Sequence, residues 1–148
     1  MSFSASNLEA TSPHINDNYI ISATAGEALT IGQVVEVTSD WIVKASTLTT
    51  TPSNKVAGVM LNSPASGKAA TVLCRGIARI QAYGTITAGD SVASGPNGTI
   101  QTVAQPTATD CNTSAGTAAA ISKIVGAIGK ALVGASSGGT AIVLMNVL

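Results

Sequence analysis

The chain has 148 residues, of which 45% are hydrophobic and only 9% are charged, and its formal net charge is zero. Seven lysines and arginines spread along the sequence do not build the basic face that binds phosphates, so we expect no nucleic-acid partner. The sequence has no run of about 18 uncharged apolar residues, so we predict no membrane-spanning helix. The first residues also lack the pattern of a secretory signal peptide.

Residues 1–22 are predicted to form an N-terminal arm that precedes a single β-barrel-like domain at residues 23–148. The apolar side chains of the arm are spaced irregularly among polar residues and cannot bury much area by themselves. The arm is either a frayed terminus or a segment that becomes ordered on a partner. In the second case its anchors would be Phe3, Leu8, Ile15 and Tyr19.

From residue 19 onward, short apolar runs alternate with Gly, Ser, Thr and Asn, which is typical of strands and turns. Hairpin turns are predicted at Ser39-Asp40 and at Pro96-Asn97-Gly98. The predicted strands are Tyr19–Ala23, Val34–Thr38, Trp41–Ala45, Ala57–Leu61, Ala70–Arg75, Ala78–Ala82, Ser91–Ala93, Ile100–Val103, Ala127–Leu132 and Ala141–Val147.

The domain contains a weak internal repeat. VAGVMLNSPASGKAATVL, which ends at Leu73, aligns without a gap with AIGKALVGASSGGTAIVL, which ends at Leu144. Upstream, LTIGQVV from Leu29 resembles ITAGDSV from Ile86. We therefore predict a mainly β fold, a small barrel or sandwich of two similar strand motifs in halves of about residues 26–82 and 83–148. The second half carries extra residues near 105–122, predicted to be a surface loop.

One segment has helical periodicity. In AAAISKIVGAIGKALVGA the apolar residues recur at helical spacing, but two glycines weaken a helix and the repeat aligns its second part with a strand. We predict at most one short helix across Ser114–Lys123, followed by a strand. The alternative is an amphipathic helix at Ala118–Ala135 that lies on a membrane surface. We favour the strand and expect no membrane partner.

The sequence shows no catalytic or metal-binding pattern. Its single histidine, His14, lies in the arm, and its carboxylates are dispersed. Cys74 lies in an apolar strand and is expected to be a small buried residue, and a disulfide to Cys111 has no support from the pattern. One histidine and two separated cysteines do not form a zinc site. We expect a protein that is not an enzyme and binds no metal or cofactor.

Two arginines and a tryptophan are candidate contact residues. Arg75 and Arg79 are four residues apart in an extended segment, so they share a face. That face is either solvated or a contact row for carboxylates of a neighbouring subunit, which the planar arginine head binds well. Trp41 follows a predicted hairpin turn and is either the edge of the core or an interface anchor.

Five segments occur in a recurrent order of small-residue turns and strands. They are GEAL at 26–29, VAGVML at 56–61, GKAATVLCRGIARIQA at 67–82, TAGDSV at 87–92, and a closing IGKAL…GGTAIVLM. Together they resemble the capsid cement, or head decoration, proteins of tailed bacteriophages, over about residues 23–148. The resemblance implies a barrel-like domain that assembles as a homotrimer on the outer face of the head. It would bind the major capsid protein between capsomers and stabilise the expanded shell.

The expected partners are therefore the chain itself and a major capsid protein, and the expected location is the outer surface of a virion assembled in the host cytoplasm. The candidate interface residues are Phe3, Leu8, Ile15, Tyr19, Trp41, Arg75 and Arg79. Two other functions remain open. One is a β-structured adhesion module that binds a host glycan, for which only Trp41 and Tyr83 could stack on sugars. The other is a membrane-active protein that acts through residues 118–135.

Overall fold

A computed structural model describes residues 18–47, 53–103 and 114–147. These segments form a mainly β fold with one α-helix, α1 (Ser114–Val125), and a short 3-10 turn at Pro96–Gly98. The predicted fold class is confirmed. The strands are β1 (Tyr19–Ala25), β2 (Val34–Ser39), β3 (Ile42–Ala45), β4 (Val56–Met60), β5 (Ala69–Gln81), β6 (Ser91–Ser94), β7 (Ile100–Thr102), β8 (Ala127–Val133) and β9 (Thr140–Asn146).

Several boundaries differ from the sequence-based expectation. The segments 70–75 and 78–82, predicted as separate strands, form the single strand β5. The expected arm, residues 1–22, overlaps β1, because Tyr19 to Thr24 pair with β5. Residues 1–17 lie outside the described part of the chain. The helix α1 extends two residues past its predicted end at Lys123 and is followed at once by β8, as expected.

The strand pairing closes into two rings that share β5. In the first ring β1, β3, β2, β4 and β5 pair in that order, and β5 pairs again with β1. In the second ring β5, β9, β8, β6 and β7 pair in order, and β7 returns to β5 through Ile100 opposite Ala82. Closing a sheet on itself protects strand edges that would otherwise expose unpaired backbone groups.

The central strand β5 is long enough to serve both rings. Its first half pairs with β1 and β4, and its second half, from Arg75 to Gln81, pairs with β9. Gly76 lies where the strand passes from one ring to the other, with φ of 139°. A Cβ atom at this position would strike the side chain of Asn18 and approach Leu73. Glycine therefore lets the strand continue through the crossing point.

The two rings repeat the same hydrogen bonds. The backbone N–H of Gly32 donates to the carbonyl of Met60 over 2.8 Å, and the N–H of Gly89 donates to the carbonyl of Ala131 over 2.7 Å. The donors Gly32 and Gly89 are 57 residues apart, and the acceptors Met60 and Ala131 are 71 residues apart. The same two offsets relate the repeated segments of the sequence. The difference between the offsets corresponds to the extra residues of the second half, which include α1.

Strand register follows the same two offsets. Val59 pairs with Leu73 in the first ring, and Lys130 pairs with Leu144 in the second. The bulge between β2 and β4 lies after Val35, and its counterpart between β6 and β8 lies after Val92. We refer below to positions related by these offsets as equivalent.

Each ring encloses its own apolar core. The first core contains Ala25, Leu29, Val35, Val43, Ala57, Met60, Ala70, Val72 and Cys74. The second contains Ala78, Ile80, Ala82, Ile86, Val92, Ile100, Ile128, Ala131, Ala141, Val143 and Met145. Three residues on the outside of the first ring, Val34, Val59 and Leu73, also pack into the second core. This contact, together with β5, joins the two rings.

Gly129 is required where β8 lies against β9. A Cβ atom there would strike the carbonyl oxygen of Leu144 and lie 2.9 Å from Cγ1 of Val143. We expect Gly129→Ala to lower the free energy of unfolding by about 2–3 kcal/mol through overpacking. The control is Gly67→Ala, at a left-handed φ of 77° in open space, which should cost only about 1 kcal/mol. Urea denaturation compares the two variants, and equal losses would contradict this close packing.

Candidate functional site

Four of the seven predicted interface residues lie in the described part of the chain, and all four are exposed. Tyr19 lies opposite Arg75 in the register of β1 and β5, and Arg79 projects from the same face of β5. Trp41 lies elsewhere, at the tip of the β2–β3 hairpin. The other three, Phe3, Leu8 and Ile15, lie outside the described residues. The structure therefore defines two separate surfaces.

The first surface is the outward face of β5, β9 and β8. Arg75, Ile77 and Arg79 alternate along β5 and are exposed, while the intervening residues face inward. Ile77 lies beside Leu144 of β9, and Leu144 lies beside Lys130 of β8. The next row places Arg79 beside Ile142 and Ile142 beside Val133, with the bulged Leu132 adjacent.

These rows form one apolar patch with a basic rim. Ile77 is 63% exposed, Val133 is 50% exposed, and Leu144 is 47% exposed. Side chains directly opposite each other on one face of a sheet lie within contact distance, so the patch is continuous. We call it the outer patch, and its members are Ile77, Leu132, Val133, Ile142 and Leu144, rimmed by Arg75, Arg79 and Lys130. Contiguous exposed apolar surface of this kind is typical of interaction sites.

The charge of the outer patch has one sign. The three strands that form it contain no aspartate or glutamate. Among the described residues, neither Arg75 nor Arg79 makes an ion pair or a side-chain hydrogen bond. Both guanidinium groups are thus free of the described side chains and can donate hydrogen bonds to a partner's carboxylate.

The sequence analysis identified the arginines but missed Ile77 between them. The signal was present, because residues 75, 77 and 79 must share a face once 75 and 79 do. An isoleucine on an otherwise charged face indicates a contact surface more strongly than the arginines alone. The residues supplied by β8 and β9 could not be assigned to this face without knowing the pairing of the strands.

The equivalent face of the first ring is buried. Val59 and Leu73 occupy the positions equivalent to Lys130 and Leu144, and they are only 1% and 3% exposed. They are covered because the second ring packs against them. The same face in the second ring is left open, and its rim carries Lys130 at the position equivalent to Val59.

The second surface surrounds Trp41, which combines high exposure with an unusual backbone. Its side chain is 72% exposed and its φ is 57°, in the left-handed region that bulky residues avoid. The equivalent residue of the second ring is Gly98, with φ of 75°. The Trp41 carbonyl accepts a hydrogen bond from the Thr24 N–H over 2.7 Å, which fixes the hairpin tip against β1. Strained positions of this kind concentrate at functional sites.

A groove of about 590 Å³ lies beside Trp41, between β1 and the hairpin tip. Its walls are mostly apolar, with one cation, Lys55, and one acid, Asp40. The apolar lining comes from Ile21, Ala23, Val37, Val43 and Trp41 itself. Tyr83, the other candidate for sugar stacking, is exposed but does not line this groove.

The described segments contain few side chains that could act in catalysis or bind a metal. Residues 18–47, 53–103 and 114–147 contain no cluster of three or more His, Cys, Asp or Glu that could hold a metal ion. Cys74 is buried in the first core, and desolvation raises the pKa of its thiol. None of the described helices is long and apolar enough to cross a membrane. The helix α1 does expose apolar side chains, Ile121, Ile124 and Val125.

Comparison with known proteins found a solved structure with a similar fold. No family model matches the chain, and no curated protein is significantly similar to it. The chain is similar to the crystal structure of the head fiber gp8.5 N base in bacteriophage phi29, with a TM-score of 0.56 and 15% sequence identity. The match covers 88% of this chain and 95% of that one. At this identity the similarity shows a shared fold alone and does not test the resemblance to cement proteins.

Burial should make Cys74 unreactive in the folded protein. A raised pKa lowers the thiolate fraction at any given pH, and the surrounding core blocks access to the sulfur. In Cys111→Ser protein, whose only thiol is Cys74, we expect disulfide-exchange labelling at pH 8 to be at least roughly 100-fold slower when folded than in urea. Similar rates in the two states would show that the thiol is accessible.

Proposed function

We propose that the chain is a structural protein of a phage head, a homotrimeric cement protein that binds the outer surface of the capsid. It contacts the major capsid protein between capsomers and stabilises the expanded shell. Three observations support the proposal: the fold shared with a phage head fibre base, the sequence resemblance to cement proteins, and the outer patch. The outer patch is the observation that carries it, because it gives the protein a surface built for contact.

The composition of the outer patch suits a protein interface. Its centre is apolar, so burying Ile77 and Leu144 against a partner removes apolar surface from water at about 25 cal/mol per Å². Its rim carries Arg75 and Arg79, whose heads can bind carboxylates with two hydrogen bonds each. Centre and rim together match the usual arrangement of an apolar core within a polar border.

The charge of the patch argues for a partner other than a second copy of the same patch. Two outer patches that faced each other across a two-fold axis would bring three cations of each copy together without a carboxylate from these strands. Like charges placed opposite each other oppose association. A capsid surface with an apolar pocket and carboxylates around it would complement the patch.

Shell stabilisation then follows from linkage. A protein that binds the assembled shell and not the loosened one shifts the equilibrium toward the former. A trimer presents three outer patches at once, so each contact can be modest while the whole attachment is strong. This mechanism requires no chemical step, and the sequence predicts a protein that is not an enzyme.

Acidic substitutions in the outer patch test this function. We expect Ile77→Asp and Leu144→Asp each to weaken binding to heads that lack the protein by about 30-fold or more, as for a central interface anchor worth about 2 kcal/mol. Both side chains are about half exposed or more, so the variants should keep the circular dichroism of the parent protein. Their urea midpoints should fall only modestly, because aspartate is a poor strand former.

The matched control is Leu61→Asp, at an exposed apolar position of the first half outside the patch. It should bind heads as the parent does. If the patch variants bind heads at full strength while remaining folded, the outer patch is not the capsid contact.

The N-terminal residues should add to this attachment. Removing residues 2–17 deletes Phe3, Leu8 and Ile15 but keeps Asn18, which lies against Gly76. We expect about tenfold weaker head binding, or about 1.4 kcal/mol, with unchanged oligomeric state. A co-sedimentation assay with heads measures both full-length and shortened proteins. Full-strength binding by the shortened protein would remove the arm from the interface.

A further inference from the structure

The two rings differ at the gap between their first strand and their hairpin tip. In the first ring this gap is the groove beside Trp41, where Val37 is 43% exposed. The equivalent of Val37 in the second ring is Ser94, which is fully buried. Ile21 of the groove is half-buried, whereas its equivalent, Ala78, is only 8% exposed. The side of the gap lined by Ile21 and Val37 is therefore open, and its equivalent at Ala78 and Ser94 is filled. A separate pocket of about 550 Å³ lies on the other side of the second gap, between Arg79 and Asn97.

The filled gap is closed by residues of the first ring. The backbone N–H of Ser53 donates to Oγ of Ser94 over 3.3 Å, and Oγ of Ser46 donates to the carbonyl of Gly95 over 2.7 Å. The N–H of Gly98 also donates to the carbonyl of Ser46 over 3.0 Å. We call the first-ring residues Gln33, Val34 and Ser46 the filling surface, because the hairpin tip of the second ring packs on them.

The second ring has a surface equivalent to the filling surface, and it stays partly exposed in the described part of the chain. The N–H of Ser46 donates to the carbonyl of Val34, and the N–H of Val103 donates to the carbonyl of Ser91 in the same way. Val34 and Ser46 are fully buried by the second ring, but Ser91 and Val103 remain partly exposed. The equivalent of Gln33, Asp90, is likewise partly exposed.

Within residues 18–47, 53–103 and 114–147, the first ring thus has an open gap and the second ring has an unused filling surface. We propose that the filling surface of one copy, at Asp90, Ser91 and Val103, docks into the Trp41 groove of the next copy. The inference rests on the proposed self-association and names the surfaces that produce it. Such a contact joins different patches on the two partners, so it is head-to-tail and closes into a ring of copies when the rotation permits.

One ion pair is available to this contact. The groove carries Lys55 and Asp40, so only an orientation that brings Asp90 of the filling surface to Lys55 and away from Asp40 is favourable. The Asp90 carboxylate also accepts a hydrogen bond from the Thr87 N–H over 2.8 Å, as the Gln33 side chain does from the Thr30 N–H in the first ring. A carboxylate and an ammonium group that meet across an interface steer association and fix its orientation. The contact between the two rings of one chain needs no such ion pair, because β5 already joins the rings.

Trp41 makes the contact between copies different from the contact within the chain. A Cβ atom on Gly98 would lie 2.7 Å from Cβ of Gln33, so glycine is needed where the two rings touch. A tryptophan at the equivalent position holds the second copy farther away, and its indole ring fills the resulting space. Exposed tryptophan buried at the centre of an interface is among the strongest anchors known in protein association. This role explains why a bulky residue is kept in a left-handed conformation.

The test is Trp41→Gly, which restores the residue of the second ring. Self-association measured by analytical ultracentrifugation should weaken by about 30-fold or more. The urea midpoint of the dissociated protein should stay equal or rise, because glycine relieves the backbone strain. Lys55→Glu should also weaken self-association. The control is Tyr83→Gly, which removes another exposed aromatic residue at a position where the first ring has Gly26, and it should change nothing.

Fluorescence gives an independent readout, because Trp41 is the single tryptophan of the chain. Its emission should move to shorter wavelength as the parent protein associates. The inference is overturned if Trp41→Gly associates like the parent, or if the emission stays that of an exposed indole in the oligomer. The inference is also overturned if Trp41→Gly keeps its oligomeric state but no longer binds heads or a glycan array, because Trp41 would then contact another partner. A chain that associates through Trp41 yet binds no heads would contradict the cement function alone.

Discussion

The strand β5 is the constraint on which the rest of the structure depends, because both rings close on it. A strand of 13 residues that pairs with β1 and β4 in its first half and with β9 in its second half cannot shift register without opening both cores. Gly76 permits the crossing. The outer patch and the filled gap of the second ring both follow from this shared strand, because it fixes how the two rings face each other.

The two rings share the same hydrogen bonds but differ in which of their equivalent positions are exposed. Positions that are buried within the chain on one ring, such as Leu73 and Ser94, have exposed equivalents on the other, Leu144 and Val37. Each exposed equivalent lies on one of the two candidate contact surfaces. The internal repeat therefore leaves one surface of each ring without its counterpart among the described residues.

Much of the fold followed from local sequence patterns. Alternation and turn residues located the strands, and the gapless alignment ending at Leu73 and Leu144 matched the strand pairs to the residue. The outer patch was harder to predict from the sequence, because Ile77 and Leu132 become neighbours only through the long-range pairing of strands. The left-handed conformation of Trp41 was equally hidden, since nothing local distinguishes it from an ordinary residue after a turn. The signal for this conformation is the equivalence of Trp41 with Gly98, whose φ is 75°.

We propose that this protein works through its outer surfaces as part of a phage head. A cryo-electron microscopy reconstruction of the virion that carries it would test this most directly. The account predicts density for the protein on the outside of the shell, with Ile77 and Leu144 against capsid protein and Trp41 between copies. Density in which the β5–β9–β8 face points to solvent, or a head without the protein, would contradict it.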